Sequence, residues 1–294
     1  MAAEAVHKEQ QSSLMRAATL ASVCVAVFLI LIKMVAYTLT GSVTLLSSLL
    51  DSFLDSLASI INLIAVRHAL EPADEEHRFG HGKAEALAGF SQAGFIIASS
   101  GFLMFEAIRR LYNPQPLVYA NIGIIVIVIS LVATFVLVQF QHYVVKKTGS
   151  VAIKADSIHY MSDFLLNGIV IVSLVLVSQL QMWWIDSVLA MGIAVYILWS
   201  ARDIALRSID QLMDRELGDD DRNRIIEIVK GHSQVIDIHE LRTRQSGRDI
   251  FIQFHLDLDK HLKLSEAHGI AEDVHKRLLE AYPEADILIH EDPV

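Results

Sequence analysis

The 294-residue sequence contains one cysteine, Cys24, which excludes an intrachain disulfide and any cysteine-rich zinc cluster. It has no HExxH signature, no internal repeats and no low-complexity tracts. An excess of basic charge is also missing: the formal charge is -10, and nothing points to nucleic-acid binding. A cleavable signal peptide is not expected, because the first apolar run is too long and lacks a cleavage site. What the chain does have is apolar residues, 53% of the total, with mean hydropathy +0.43. That is too apolar for an ordinary soluble domain of this size and too rich in helix formers for a β-barrel, so a multi-span helical membrane protein is expected.

A span needs about 20 mostly apolar residues to cross a hydrocarbon core of roughly 30 Å. Six windows qualify: Leu14 to Thr38, Val43 to Val66, Ala84 to Leu111, Leu117 to Val145, Val151 to Ser178 and Met182 to Leu206. An even number places both termini on one side. Lys8, Arg16, Arg67, Arg78, Lys83, Lys146, Lys147, Lys154, Arg202 and Arg207 fall on that side, against Arg109 and Arg110 opposite, so both termini are expected in the cytoplasm. Trp183, Trp184, Tyr112 and Tyr119 would form the outer aromatic belt, and Glu106 pairs with the arginines one turn on.

The pattern changes near Asp210, beyond which there are 20 acids and 11 bases, against 14 and 13 before it. Asp219 to Lys230 has helical spacing, and Val235 to Arg244 and Asp249 to Asp259 read as a hairpin around Ser246 and Gly247. In the second strand Ile250, Ile252, Phe254, Leu256 and Leu258 share one face, while Phe251, Gln253, His255 and Asp257 share the other. Ser265 is expected to cap a helix reaching about Tyr282, followed by a strand at Ile287 to Ile289. The expected organisation is a transmembrane domain over 1–208 and a small α+β domain over 209–294, with order α-β-β-α-β in a ferredoxin-like, metallochaperone-like arrangement.

Chemistry concentrates in three places. The second span holds Asp51 and Asp55 one helical turn apart, and the fifth holds His159 and Asp163 at the same spacing. Carboxylates within a span cost several kcal/mol unless compensated, so they face a bundle interior and mark ion paths. Four such donors suit one tetrahedral divalent cation; the alternative is that some are end residues at headgroup level. Asp156 reads as a candidate cap of the fifth span, and Lys33 as a lysine snorkelling outward. In the loop after the second span, Asp74, His77 and His81 lie three and four residues apart and form a second candidate site, against the blander reading of a solvated loop. The C-terminal part holds seven of thirteen histidines; His239, His255, His268, His290 and Asp292 converge from three elements on one or two candidate sites, whereas His232, His261 and His275 read as chance surface histidines.

Imidazole with carboxylates favours zinc, with iron, cadmium or cobalt as alternatives, over magnesium or calcium; the absence of thiol argues against copper. Because these donors must lose protons to bind metal, metal one way and protons the other is the natural coupling.

The six spans, Asp51/Asp55, His159/Asp163, the Phe79 to Glu85 sequence FGHGKAE and the α-β-β-α-β tail together resemble the cation diffusion facilitator family, in its bacterial zinc and ferrous-iron efflux branch. The resemblance covers essentially the whole chain. It implies a homodimer in the bacterial inner membrane that exports Zn2+, or Fe2+, Cd2+ or Co2+, by alternating access in exchange for protons. It implies a transport site at Asp51, Asp55, His159 and Asp163, a loop site at Asp74, His77 and His81, and a two-ion tail site at His239, His255, His268, His290 and Asp292. It also implies an ion pair between Lys83 and Asp214. A membrane metal sensor is the rival reading; the intramembrane carboxylates oppose it, since a sensor can keep its ligands in water. An intramembrane metalloenzyme lacks a base and an open coordination position.

One prediction concerns selectivity. His159→Asp, which makes the site all-oxygen, is expected to let manganese compete more strongly with zinc in transport assays. Unchanged competition contradicts His159 as a ligand.

Overall fold

The computed structural model describes residues 2–40, 43–112, 121–180, 185–283 and 285–294. Six long helices come first: α1 (Ala2–Thr40), α2 (Val43–Ala69), α3 (Lys83–Tyr112), α4 (Asn121–Thr148), α5 (Val151–Leu180) and α6 (Ile185–Leu212). Among the described residues four of these, α1, α3, α4 and α6, are long and apolar enough to cross a membrane by length and composition. The other two, α2 and α5, have 27 and 30 residues, about 40 and 45 Å at helical rise, and carry the acidic pairs. Tyr119, Trp183 and Trp184, expected in the aromatic belt, lie outside the described residues, as do the starts of the fourth and sixth apolar windows at Leu117 and Met182. Tyr112 closes α3 and is exposed, and Arg109 Nη1 lies 3.4 Å from Glu106 Oε2.

Residues 6–209 form one compact unit; 210–294, with 1–5, form a second. The first is built inside out relative to a soluble bundle. Large apolar side chains such as Leu31, Val35, Phe102, Phe105 and Trp199 are exposed. Small polar ones, including Ser22, Ser56, Ser59, Ser100, Thr134 and Ser208, are buried. Lipid provides no hydrophobic drive between helices, so small and hydroxyl-bearing residues line the helix contacts.

At the centre of that unit is α5. It touches α2, α3 and α4, and it packs Val151 and Ala155 with Ala93 of α3 and Ile204 of α6. Its start is fixed locally. Gly149 takes the left-handed conformation (φ 67°) that ends α4 and donates its N–H to the Val145 carbonyl, and Ser150 Oγ then accepts the Ile153 N–H at 3.2 Å. Gly89 of α3 faces this corner: a Cβ there would meet Ser208 Oγ at 2.9 Å and Val151 Cγ1 at 3.0 Å.

The second unit contains α7 (Asp219–Lys230), β1 (Asp237–Ser246), β2 (Asp249–Leu258), α8 (Leu264–Ala281) and β3 (Ala285–Pro293). The α-β-β-α-β order is as expected. The sheet runs β1-β2-β3, with β1 antiparallel and β3 parallel to β2. Ile252, Phe254, Leu256 and Leu258 are buried against Ile225 and Val229 of α7 and Ile270, Val274 and Leu278 of α8. On the opposite face the Arg244 guanidinium covers the buried Phe251 ring at 4.4 Å.

Three local expectations need correction. The cap of α8 is Lys263, whose N–H donates to Glu266 Oε2 at 2.9 Å, so Ser265 is the second residue of the helix rather than its cap. The last strand extends over Ala285–Pro293, because its parallel register with β2 continues beyond the three apolar residues that announced it. His232 is buried, its Nδ1 accepting the Gln234 N–H at 3.3 Å, and closes the turn after α7 instead of lying on the surface.

The Gly89 contacts yield a prediction. Gly89→Val forces carbon atoms into Ser208 and Val151, and overpacking of this kind costs about 1–3 kcal/mol. Its melting temperature in detergent, followed by scanning fluorimetry, is expected to fall by several degrees. Gly94→Ala, where nothing lies within 4 Å of the new carbon, is not expected to lower it. Equal melting behaviour for the two variants contradicts this packing.

Candidate metal centres

The helical repeat places residues four apart on one face, and α2 and α5 turn such faces toward each other. His159 Nε2 lies 3.1 Å from Asp55 Oδ1 and 3.8 Å from Asp163 Oδ2, and the three residues offer donors within 4.8 Å of one another. Zinc donors at about 2.0–2.2 Å in a tetrahedron lie about 3.4 Å apart, so small side-chain shifts close the group on an ion. Asp51 is on the same face of α2, one turn earlier, but its carboxyl is exposed and stands outside the group of three. Three of the four expected donors therefore meet.

Around this group lies a polar seam that the sequence did not announce. Lys33 turns inward, not outward: its Nζ donates to Ser52 Oγ at 2.6 Å and to the Ser48 carbonyl at 3.1 Å, and its charge acts on Asp163, Asp55 and Asp51. Asp156 does not cap α5. Ser150 holds that place, and the buried Asp156 carboxylate accepts hydrogen bonds from Ser22 Oγ of α1 (2.6 Å) and Gln141 Nε2 of α4 (2.7 Å). Tyr160, beside His159, donates to the Ser22 carbonyl at 3.2 Å and lies 2.8 Å from Ser59 Oγ. These bonds fix the rotation of α5, and with it the direction of His159 and Asp163.

In the loop between α2 and α3, Asp74 Oδ1 accepts the N–H groups of His77 (2.6 Å) and Glu76 (2.9 Å). The His77 amide bond is the main reason the Asp74 carboxyl is held below its usual range. His81 Nε2 lies 3.4 Å from Asp74 Oδ2 and His77 Nδ1 lies 3.3 Å from Asp74 Oδ1, so the three expected residues do meet. Gly80 supplies the positive φ (78°) that bends the chain between the two histidines. His68 and Glu71, which the sequence reading passed over, form a further group with His81. Their signal was their spacing of three at the end of α2.

Strand register organises the tail. His239, His255 and His290 are cross-strand neighbours in one row, and Asp257 is paired with Asp237 on one side and Asp292 on the other. Residues two apart share a face, so histidine and aspartate rows stack on the face opposite α7 and α8. His255 Nδ1 lies 2.7 Å from Asp292 Oδ2, His239 Nε2 lies 3.4 Å from the same oxygen, and His290 Nε2 lies 3.3 Å from Asp292 Oδ1. The His255 bond is the largest cause holding the Asp292 carboxyl below its ordinary range.

His268 stands apart on α8, exposed, 3.8 Å from Glu291 Oε1. Two acids join instead. Asp257 Oδ1 lies 3.1 Å from His239 Nδ1, and Glu240 Oε2 lies 3.9 Å from His255 Nε2. Asp257 was visible in the strand alternation. Glu240 was not, because a β-bulge between His239 and Arg242 and a positive φ (48°) redirect it.

Lys83 opens α3 in the first unit; Asp214 follows α6 in the second, in left-handed backbone (φ 53°), 3.4 Å from Arg244 Nη1.

Comparison with known proteins adds an independent finding. The family described as cation efflux transmembrane domain matches residues 19–213, and that described as cation efflux protein, cytoplasmic domain, matches residues 217–294. A protein of Shewanella oneidensis called cation-efflux pump FieF is 48% identical over 277 residues, covering 94% of this chain and 93% of its own. Its namesakes in Yersinia pestis and Yersinia pseudotuberculosis are 47% identical over 284 residues, covering 97% of this chain and 94% of theirs.

The tail geometry predicts a pH effect. A depressed carboxyl contributes stability that is present above the unfolded value of about 3.9 and is lost as pH falls through its folded value. Asp292→Asn is therefore expected to weaken the metal-free tail at neutral pH and to leave it unchanged in strong acid, as read by hydrogen exchange of β2 and β3. Protection that drops equally at both pH values contradicts the His255 pairing.

Proposed function

This chain belongs to the cation efflux family, and from that premise we propose that it exports divalent transition-metal ions, zinc first among them, from the cytoplasm in exchange for protons. The observation that carries the reading is the meeting of Asp55 with His159 and Asp163 across α2 and α5. A mixed imidazole and carboxylate set suits zinc, and equally ferrous iron, cadmium or cobalt as cargo. Asp51 swings in as the fourth ligand when the ion arrives. The same donors hold protons when the ion leaves, so metal and protons exclude each other at one place. Lys33 supplies positive charge beside three carboxylates and lowers the cost of the empty state.

The protein works as a homodimer in the bacterial inner membrane, with six spans and both termini in the cytoplasm. Residues 1–208 carry the ion, and 209–294 form the cytoplasmic metal-binding and dimerisation domain. Helices rock around the site to expose it to each side in turn. Zinc held by His239, His255, His290 and Asp292, with His268 closing on a second ion, biases the dimer toward its competent state through differential affinity. Asp74, His77 and His81 form a loop site, supported by their meeting in that loop; the inter-domain ion pair of Lys83 and Asp214 and the part given to His268 rest on the family resemblance alone. A sensor with the same ligands remains the rival, and transport distinguishes them.

Zinc flux into proteoliposomes under an imposed pH gradient, read with an encapsulated dye, tests the proposal. Gradient-driven flux in the wild type and its loss in Asp163→Ala are expected. Zinc binding by the wild type with no flux of zinc, iron, cadmium or cobalt contradicts export and favours the sensor.

A further inference from the structure

The loop between α2 and α3 contains more ligating chemistry than Asp74, His77 and His81 use. His68 lies in the last turn of α2 and Glu71 just beyond it, where the chain turns so that the Glu71 N–H reaches the His68 carbonyl at 3.0 Å. That turn sets Glu71 Oε2 2.8 Å from His68 Nδ1. The His68 ring then stands 4.4 Å from the His81 ring, as close as the 4.5 Å between His77 and His81. His81 is thus flanked by two histidines, each with its own carboxylate three residues away.

The side chain of His81 is 4% exposed, against 50% for His68 and 53% for His77. Its Nε2 faces Asp74, while its Nδ1 is buried with no hydrogen-bond partner among the described residues. A buried imidazole nitrogen without a partner is costly to leave so, and a bound cation removes that cost by taking its lone pair. His68, Glu71 and His81 offer donors within 4.8 Å of one another, as do Asp74, His77 and His81.

We propose that His68, Glu71 and His81 form a second divalent-cation position that overlaps the Asp74–His77–His81 position and shares His81 with it. One ion occupies one position at a time, because the neutral His81 imidazole offers a lone pair on Nδ1 or on Nε2 and never on both. The exposed His68 and Glu71 receive a hydrated cation from the cytoplasm, and exchange through His81 passes it to Asp74 and His77 without releasing it to water. The proposal rests on the loop-site reading for the shared histidine.

Zinc competition against a chromophoric chelator tests it on the full-length protein, in a background where Asp163→Ala, His255→Ala and Asp292→Ala remove the other candidate sites. Asp74→Ala with His77→Ala is expected to retain one zinc per chain, bound at least about tenfold more weakly, since loss of even an outer partner of a metal ligand costs that much. Adding His68→Ala is expected to abolish the residual binding. Separately, His68→Ala with Glu71→Gln and an intact Asp74 and His77 is expected to keep one zinc and to slow its uptake from a chelate. No residual zinc in Asp74→Ala with His77→Ala overturns the second position while leaving the loop site intact. Residual zinc that survives His68→Ala overturns the assignment of its ligands. Absence of loop zinc even with all five residues present overturns both.

Discussion

A carboxylate placed in an apolar helix bundle has to be compensated, and the rest of the transmembrane unit is arranged around that requirement. Insertion scales put an aspartate at mid-membrane about 2.5–3.5 kcal/mol uphill. Here Asp51, Asp55, Asp156 and Asp163 share the unit with Lys33 and His159. Asp55 and Asp163 meet the His159 imidazole, Asp156 is held by a serine and a glutamine, and Lys33 reaches into the same region from α1. Apart from the contact of Asp163 with His159, which lies within α5, each compensation joins two helices, so the polar groups that are expensive in lipid also determine which faces of α1, α2, α4 and α5 turn inward. The apolar surface follows by default and points outward.

The tail solves a different problem with the same economy of geometry. Its core lies on one side of a three-stranded sheet, beneath α7 and α8, and the ligating side chains lie on the other. Cross-strand register then lines up three histidines from three strands, with aspartates in the next row. No loop has to be ordered for these donors to converge. Their spacing is set by strand separation.

Much of this was legible in the sequence because it depends on period. The six long helices follow from apolar runs, the one-turn spacing of Asp51 with Asp55 and of His159 with Asp163 from the helical repeat, and the inward set from Ile250 to Leu258 from strand alternation. What failed to show depends on partners distant in the chain. Asp156 has the sequence look of a cap, and only its bonds to Ser22 and Gln141, from two other helices, reveal it as part of the interior. Lys33 looked like an anchor until Ser52 was found beside it. Glu240 depends on a bulge with no sequence signature, and Asp51 and His268 show that a shared face or a nearby element is not yet a shared site.

The account turns on one claim, that the α2–α5 group binds the cargo directly. The most direct measurement is zinc K-edge absorption spectroscopy on full-length protein whose loop and tail ligands have been replaced, so that the only zinc left is bound at α2 and α5. A four-coordinate shell of oxygen and nitrogen with the multiple-scattering signature of one imidazole, lost in His159→Ala, is the predicted result. A shell without imidazole, or zinc that stays bound unchanged in that variant, contradicts the account.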